Sequence, residues 1–141
     1  MAFAVWSPGL DLRDGRHDRG RNGLWLQHGW LGDDLWFKSN DRWPRVNQFR
    51  SPERIGALAG KLRRYHVTDV FPHLCPTLRD GRLPGVDHAQ VERFLDAMEG
   101  LRVLPWIGGV SGVHAFLEDP AWRARFSKSV QNLMARHPRF A

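Results

Sequence analysis

The residues that decide the fold are Leu101-Arg102-Val103-Leu104-Pro105-Trp106-Ile107-Gly108-Gly109, a short apolar run that two glycines end. Such a run is typical of a strand in the buried interior of a sheet. Asp119-Pro120 follows, and a polar residue before a proline is a common helix start. The apolar residues that share one face of this helix are Trp122, Phe126, Val130 and Leu133. The helix is predicted to end near His137, which completes one strand–helix unit.

A second strand–helix unit precedes the first. Residues 67–73 are predicted to form its strand, with Pro72 closing it and Asp80-Gly81 as the turn that follows. Asp87 and Gln90 have the spacing of a capping box, so we expect a helix to begin there. The apolar stripe of this helix contains Val91, Phe94, Leu95 and Met98. Gly100 is expected to end it.

The same pattern occurs once more, nearer the N-terminus. Residues 24–30 are predicted to be the first strand, buried on both faces. A long aromatic-rich loop, residues 31–50, comes next, and loops of this length are usually functional or disordered. Ser51-Pro52 then predicts a helix that ends near Tyr65.

Three alternating strand–helix units predict an α/β fold with a parallel sheet. We interpret residues 23–141 as the N-terminal part of a (β/α)8 TIM barrel, which usually needs about 250 residues. Residues 1–22 are predicted to be an irregular leader. A doubly wound sheet uses the same units, although no Gly-x-Gly-x-x-Gly motif follows a strand here.

Composition narrows the classes of partner. The net charge is +6, which raises the question of nucleic-acid binding, but the arginines are spread along the chain beside acidic residues. We therefore expect no nucleic-acid partner, and no apolar run is long enough for a membrane span. Cys75 is the only cysteine, which excludes an internal disulfide and leaves the compartment open.

The C-terminal forty residues resemble glycoside hydrolase family 18, the chitinase-like barrels. Residues 103–109 are similar to that family's third strand with its Gly-Gly ending, although Trp106 stands where the family has Ser. Phe126 lies within the following helix, as in the family, and Phe140-Ala141 falls where the fourth strand would start. The resemblance implies hydrolysis or binding of glycans that contain N-acetylglucosamine, with the substrate's own N-acetyl group assisting a glutamic acid. That acid would lie beyond Ala141, so no catalytic residue is assigned and the chain is expected to be inactive alone.

Function in a barrel is found at the carboxyl ends of the strands. We therefore predict substrate binding by residues at this rim, where indole and imidazole groups suit a sugar's apolar face and polar edge. The candidate substrate-binding residues are Gln27, His28, Trp30, His73, Trp106, Gly108 and Gly109. The two glycines are expected to allow positive φ or close approach.

Several other residues that stand out in the sequence are expected to have structural roles. Trp25, in mid-strand, and Trp122, on an apolar helix face, are expected to pack in the core. Asp33-Asp34 is expected to be a solvated loop, because adjacent side chains diverge on most backbones. His28 lacks the His-x-His pattern of metal-dependent barrel hydrolases, so we predict no metal or cofactor.

Two alternatives to a glycosidase-like barrel remain. One is a non-catalytic carbohydrate-binding or interaction module that is complete at this length. The other is a basic nucleic-acid-binding domain, whose affinity would fall steeply with salt. A three-stranded parallel sheet has two open edges, so self-association through them is expected.

Overall fold

A computed structural model of the chain describes residues 22–141, and the predicted leader lies outside this range. The strands are β1 (Asn22–Leu26), β2 (Val67–Pro76), β3 (Arg102–Val103) and β4 (Trp106–Gly108). The helices are α1 (Leu35–Ser39), α2 (Val46–Arg50), α3 (Pro52–Arg64), α4 (His88–Ala97) and α5 (Pro120–Arg136), with a 3-10 turn at Trp43–Arg45. None of these helices in residues 22–141 is long and apolar enough to cross a membrane.

The strands form a parallel sheet in the order β1-β2-β3, and β4 extends the pairing along the later part of β2. This confirms the predicted α/β class and the parallel arrangement. The prediction that the second strand closes at Pro72 is wrong. Pro72 is the last register partner of β1, and the strand continues beyond it by pairing His73 with Trp106 of β4.

The predicted third strand is also not continuous, because it divides between β3 and β4. Pro105 lies in the gap, and proline cannot donate a backbone hydrogen bond to a ladder. The backbone N–H of Leu104 still donates to the carbonyl of Val70, at 2.9 Å. Beyond α5, Phe140 forms a parallel bridge with Val103, and the N–H of Ala141 donates to the Val103 carbonyl at 3.0 Å.

The first strand is shorter and more exposed than predicted. β1 ends at Leu26, so residues 27–30 lie outside the strand, and residues 28–31 form a turn. Burial on both faces is wrong, since Leu24 is 41% exposed and Trp25 is 62% exposed. Trp25 is therefore not a core residue. Its register partner is Phe71, and the two rings stack with their centroids 5.0 Å apart.

The three long helices begin where their caps were predicted. The Ser51 hydroxyl accepts the N–H of Arg54, Asp87 accepts the N–H of Gln90, and Asp119 accepts the N–H of Ala121. These caps satisfy amide groups that have no partner within the helix. At the end of α4, Gly100 has a φ of +82°, the left-handed conformation that glycine adopts without strain.

The core lies between the helices and one face of the sheet. It contains Leu26, Val70, Leu74 and Val103 from the strands, and Ile55, Leu62, Phe94 and Leu133 from the helices. Trp122 is buried as predicted, while Phe126 and Val130 on the same helix face are only half-buried. Side chains alternate between the two faces of a strand, so residues next to core positions on β2 point to the opposite face.

That opposite face is aromatic. The edge of Trp106 meets Trp25 at 5.7 Å and His73 at 4.2 Å, measured between ring centroids. The Trp106 indole N–H also donates to the Leu26 carbonyl at 3.3 Å, which links β4 to the end of β1. The long helices α3, α4 and α5 contribute their buried residues to the core on the other side of the sheet.

The connection between β1 and α3 is folded, not an extended loop. It contains α1, the 3-10 turn and α2, and Phe37 and Val46 from these elements are buried. Gln90 of α4 holds the connection by donating to the carbonyls of Trp30 and Phe49, at 2.9 and 3.0 Å. Gln90 is completely buried, and it closes no capping box because its Oε1 accepts from Arg93 at 2.6 Å.

Arg50 provides a second attachment between this connection and α4. Its guanidinium binds Asp34 and lies 2.5 Å from an Asp87 carboxylate oxygen. Burial alone would raise the pKa of Asp87, but hydrogen bonds from Arg50 and the Gln90 N–H outweigh it and hold the pKa below its ordinary 3.8. Asp87 therefore caps a helix and anchors the loop at once.

We predict that Asp87→Ala lowers the free energy of unfolding by about 1–2 kcal/mol near neutral pH. The pKa of Asp87 is lower in the folded chain than in the unfolded chain. The carboxylate therefore contributes fully to the free energy of unfolding at pH values above its pKa in the unfolded chain, and this contribution is lost as the pH falls through its pKa in the folded chain. The deficit of the variant should therefore shrink below about pH 4. Urea unfolding measured from about pH 7 to about pH 3 checks this.

Asp87→Ser separates the cap from the ion pair, because serine can cap the helix but cannot bind Arg50 as an ion. The difference between the serine and alanine variants should not depend on pH. A deficit of Asp87→Ala that stays constant down to about pH 3 would show that the carboxylate does not act through its charge.

Candidate functional site

A cavity of about 390 Å³ opens at the carboxyl ends of β1, β2 and β4. Five of the seven predicted substrate-binding residues line it, namely His28, His73, Trp106, Gly108 and Gly109. The carboxyl ends of parallel strands meet at one edge of a sheet, which is why residues far apart in sequence come together here.

A neighbouring cavity of about 410 Å³ is lined by Gln27, Trp30 and, again, His28. Gln27 is exposed, whereas Trp30 is half-buried against Phe49 and Phe94, with ring centroids 5.1 and 6.4 Å away. Trp30 therefore serves partly as scaffold. A third cavity, about 360 Å³ and lined by α5, residues 83–86 and His88, contains none of the predicted residues.

His28 and Trp36 border both rim cavities. Their rings stack in parallel, with centroids 4.7 Å apart and planes 7° apart. Trp36 lies on α1, so the folding of the connection after β1 brings this indole over the histidine. The stacked pair forms the wall between the two cavities.

His28, Asp33 and His73 form a compact cluster at the base of the first cavity. The Nδ1 atom of His28 is 2.6 Å from Asp33 Oδ2, in a directed hydrogen bond. The Nδ1 atom of His73 is 2.7 Å from the same oxygen, but its ring is not oriented for a hydrogen bond and the buried nitrogen has no hydrogen-bond partner. Two imidazoles thus converge on one carboxylate oxygen.

The prediction of a solvated Asp33-Asp34 loop is wrong for Asp33, which is only 5% exposed. The expected divergence does occur, because Asp33 faces the imidazoles while Asp34 binds Arg50. Burial alone would raise the pKa of Asp33, but His73 and His28 outweigh it and hold the pKa below its ordinary value. The carboxylate is therefore ionised at neutral pH.

The two rim glycines permit close approach and not positive φ. A Cβ on Gly108 would lie 3.1 Å from His73 Nε2, and one on Gly109 would lie 3.0 Å from the Thr77 hydroxyl oxygen. Both distances are shorter than ordinary carbon contacts, and neither glycine is among those with positive φ. The chain after β4 can therefore pack directly against the end of β2.

Sequence reasoning did not select several residues that line the first cavity. They are Asp33, Leu35, Trp36, Ser39, Asn40, Pro76, Val110 and His114. Five of the eight belong to the connection after β1, whose length and aromatic content were the only signals in the sequence. The position of His114 depends on the fold of residues 109–119 and has no local signature.

Comparisons with protein-family models, with curated proteins and with solved structures found no match to this chain. The site's own residues define its chemistry. It combines an ionised buried carboxylate, two imidazoles and two indoles at an open rim. Such a set can hydrogen-bond a polar ligand, stack on an apolar ring face or ligate a cation.

Cys75 lies beside this cluster but is not available as a nucleophile. Burial, with a smaller effect from the Asp33 charge, raises the pKa of Cys75 to about 12. We predict that the folded protein reacts with iodoacetamide near pH 8 at least about 100-fold more slowly than the unfolded chain, since the thiolate is the reactive form.

Mass spectrometry gives a direct readout, because the sequence has one cysteine and one added group reports complete reaction. The same chain in concentrated guanidinium is the matched control. Equal rates in the two conditions would mean that Cys75 is exposed in solution.

Proposed function

We propose that this chain is the N-terminal portion of a (β/α)8 barrel similar to glycoside hydrolase family 18, and that its rim binds glycans containing N-acetylglucosamine or related sugars. The observation that carries the proposal is the open cavity at the carboxyl ends of the strands, bordered by Trp36 and Trp106. A pyranose ring has an apolar face and a polar edge, and this cavity offers partners for both.

The polar partners in the cavity are varied. Ser39, Asn40 and His114 line it beside the indoles and can donate or accept hydrogen bonds to hydroxyl or acetamido groups. The neighbouring cavity adds Gln27 and shares His28 and Trp36. Two adjacent cavities that share one aromatic wall suit a ligand of more than one ring.

The strand order supports the barrel part of the proposal. β1 pairs in parallel with β2, and β2 with β3, in the order of the chain, which is how a singly wound barrel begins. Phe140 bridges to Val103 at the free side of β3, where a fourth strand would lie. The aromatic face with Trp25 and Phe71 would then be turned towards the interior of the barrel. Unpaired edges of the sheet would favour self-association of the chain.

We assign no catalytic residue in this chain. Among residues 22–141, the only carboxylate that lines the cavity is Asp33, and the two imidazoles keep its pKa low, which opposes a role as proton donor near neutral pH. The chain is proposed to contribute one wall of a binding site, and to bind without hydrolysing. A non-catalytic carbohydrate-binding module is the alternative with the same binding surface.

A calorimetric titration of the full chain with chitotetraose tests the proposal. We expect Trp36→Ala to weaken binding by about tenfold, the loss of one aromatic contact to the sugar. Trp43→Ala is the matched control, because Trp43 is exposed on the same connection and lines neither rim cavity. Its affinity should equal that of the unmodified chain.

Absence of heat and of fluorescence change with chitotetraose and with other oligosaccharides, in a chain that is folded by circular dichroism, would reject the proposal. Equal weakening by both substitutions would mean that sugar does not bind at this rim. A gel shift with DNA that disappears at high salt would instead favour the nucleic-acid alternative.

A further inference from the structure

We propose that His28, Asp33 and His73 form a binding site for a divalent transition-metal ion of the zinc class. The inference does not rest on glycan binding, because it uses only the cluster itself. Each residue offers one ligand atom, and the three atoms all lie within 4.8 Å of one another. Two imidazole nitrogens and one carboxylate oxygen are a ligand set that zinc uses in proteins.

The distances are close to those of an occupied site. Tetrahedral zinc has bonds of about 2.0–2.2 Å to nitrogen and oxygen, which puts its ligand atoms roughly 3.4 Å apart. The two nitrogens are 2.6 and 2.7 Å from Asp33 Oδ2. An outward movement of the carboxylate by less than about 1 Å therefore makes room for the ion.

The unpartnered nitrogen of His73 is the independent observation that points to a ligand. The His73 side chain is 3% exposed, and its Nδ1 atom has no hydrogen-bond partner although it faces the carboxylate. Buried polar atoms without partners are rare and destabilising. A metal ion would bind the lone pair of this nitrogen. No proton would then be needed between the His73 imidazole and the Asp33 carboxylate.

Charge also favours a cation here. The Asp33 carboxylate is buried, and among residues 22–141 its ion-pair partners are the two histidines alone. No Lys or Arg side chain among residues 22–141 pairs with this carboxylate, so a divalent cation would be attracted to it. The three residues line the cavity, so the remaining coordination positions would be open to water or to a ligand's hydroxyl oxygen.

The site was not visible in the sequence because its ligands come from three separate places. His28 follows β1, Asp33 lies in the turn before α1, and His73 lies near the end of β2. No short motif joins them, and the usual His-x-His pattern is absent. Trp36 stacked on His28 and Trp106 beside His73 hold the two rings in place.

The test titrates Co²⁺ and then Zn²⁺ into the full chain after treatment with a chelator. We expect visible absorption bands from Co²⁺ bound to nitrogen and oxygen ligands, which one equivalent of Zn²⁺ removes. Asp33→Asn and His28→Ala should each weaken Zn²⁺ binding by more than about 100-fold, since losing a direct ligand exceeds the effect of losing a supporting group. His114→Ala is the matched control and should bind as the unmodified chain does.

His114 lines the same cavity but is outside the cluster, so it reports adventitious binding to rim histidines. Asp33→Asn preserves the shape of the side chain, and circular dichroism verifies that the variant is folded. NMR adds a readout that does not need a variant, because Zn²⁺ should shift the ring signals of His28 and His73 and leave those of His114 unchanged.

The proposal is overturned if the unmodified chain shows no Co²⁺ bands and no saturable Zn²⁺ binding. It is equally overturned if His114→Ala loses the metal while Asp33→Asn keeps it. The chitotetraose titration is run separately on metal-free protein, so failure of metal binding and failure of glycan binding can be told apart.

Discussion

The strand β2 is the element on which the rest of the structure depends. It is the only strand in residues 22–141 that pairs with all three of the others, and its alternating side chains serve two purposes. Val70 and Leu74 face the helices and build the core, while Phe71 and His73 face the aromatic side. A register change of one residue would exchange these sets, placing an imidazole in the core and leucine at the rim.

The register irregularity near the end of β2 extends this role to the site. His73 pairs with Trp106 and Cys75 with Ile107, so β2 has one more residue than β4 in this interval. Bulges of this kind turn side chains relative to a regular strand and are frequent beside functional sites. Here both Leu74 and Cys75 are buried, and His73 keeps its direction towards Asp33.

The sequence predicted local features far better than tertiary ones. Helix starts at Ser51, Asp87 and Asp119 could be predicted because a cap acts on an amide two or three residues away. The exposure of Trp25 could not be predicted from the sequence, because it depends on which residues cover the other face of the sheet. The burial of Asp33 could not be predicted either, because it depends on His73, forty positions along the chain.

The folded connection after β1 explains why site residues were harder to predict than strands. Its helices are only five residues long, too short to be stable from intrinsic propensity, so contacts with Gln90 and Arg50 must hold them. Those contacts are distant in sequence and leave no periodic pattern. The length and aromatic content of the segment predicted a loop that is functional or disordered, but the positions of Trp36 and Asn40 follow from its contacts with α4.

A buried carboxylate at the rim is the feature that purely structural arguments explain least. An apolar residue in place of Asp33 would avoid the cost of desolvating a charge, and two imidazoles compensate that cost only in part. Ionised groups kept in such surroundings are concentrated at functional sites. Asp33 also belongs to the same turn as Asp34, which Arg50 connects to Asp87 and hence to the start of α4. A ligand that engages Asp33 would therefore bind where the end of β1, the connection and the end of β2 meet, and would stabilise their mutual arrangement.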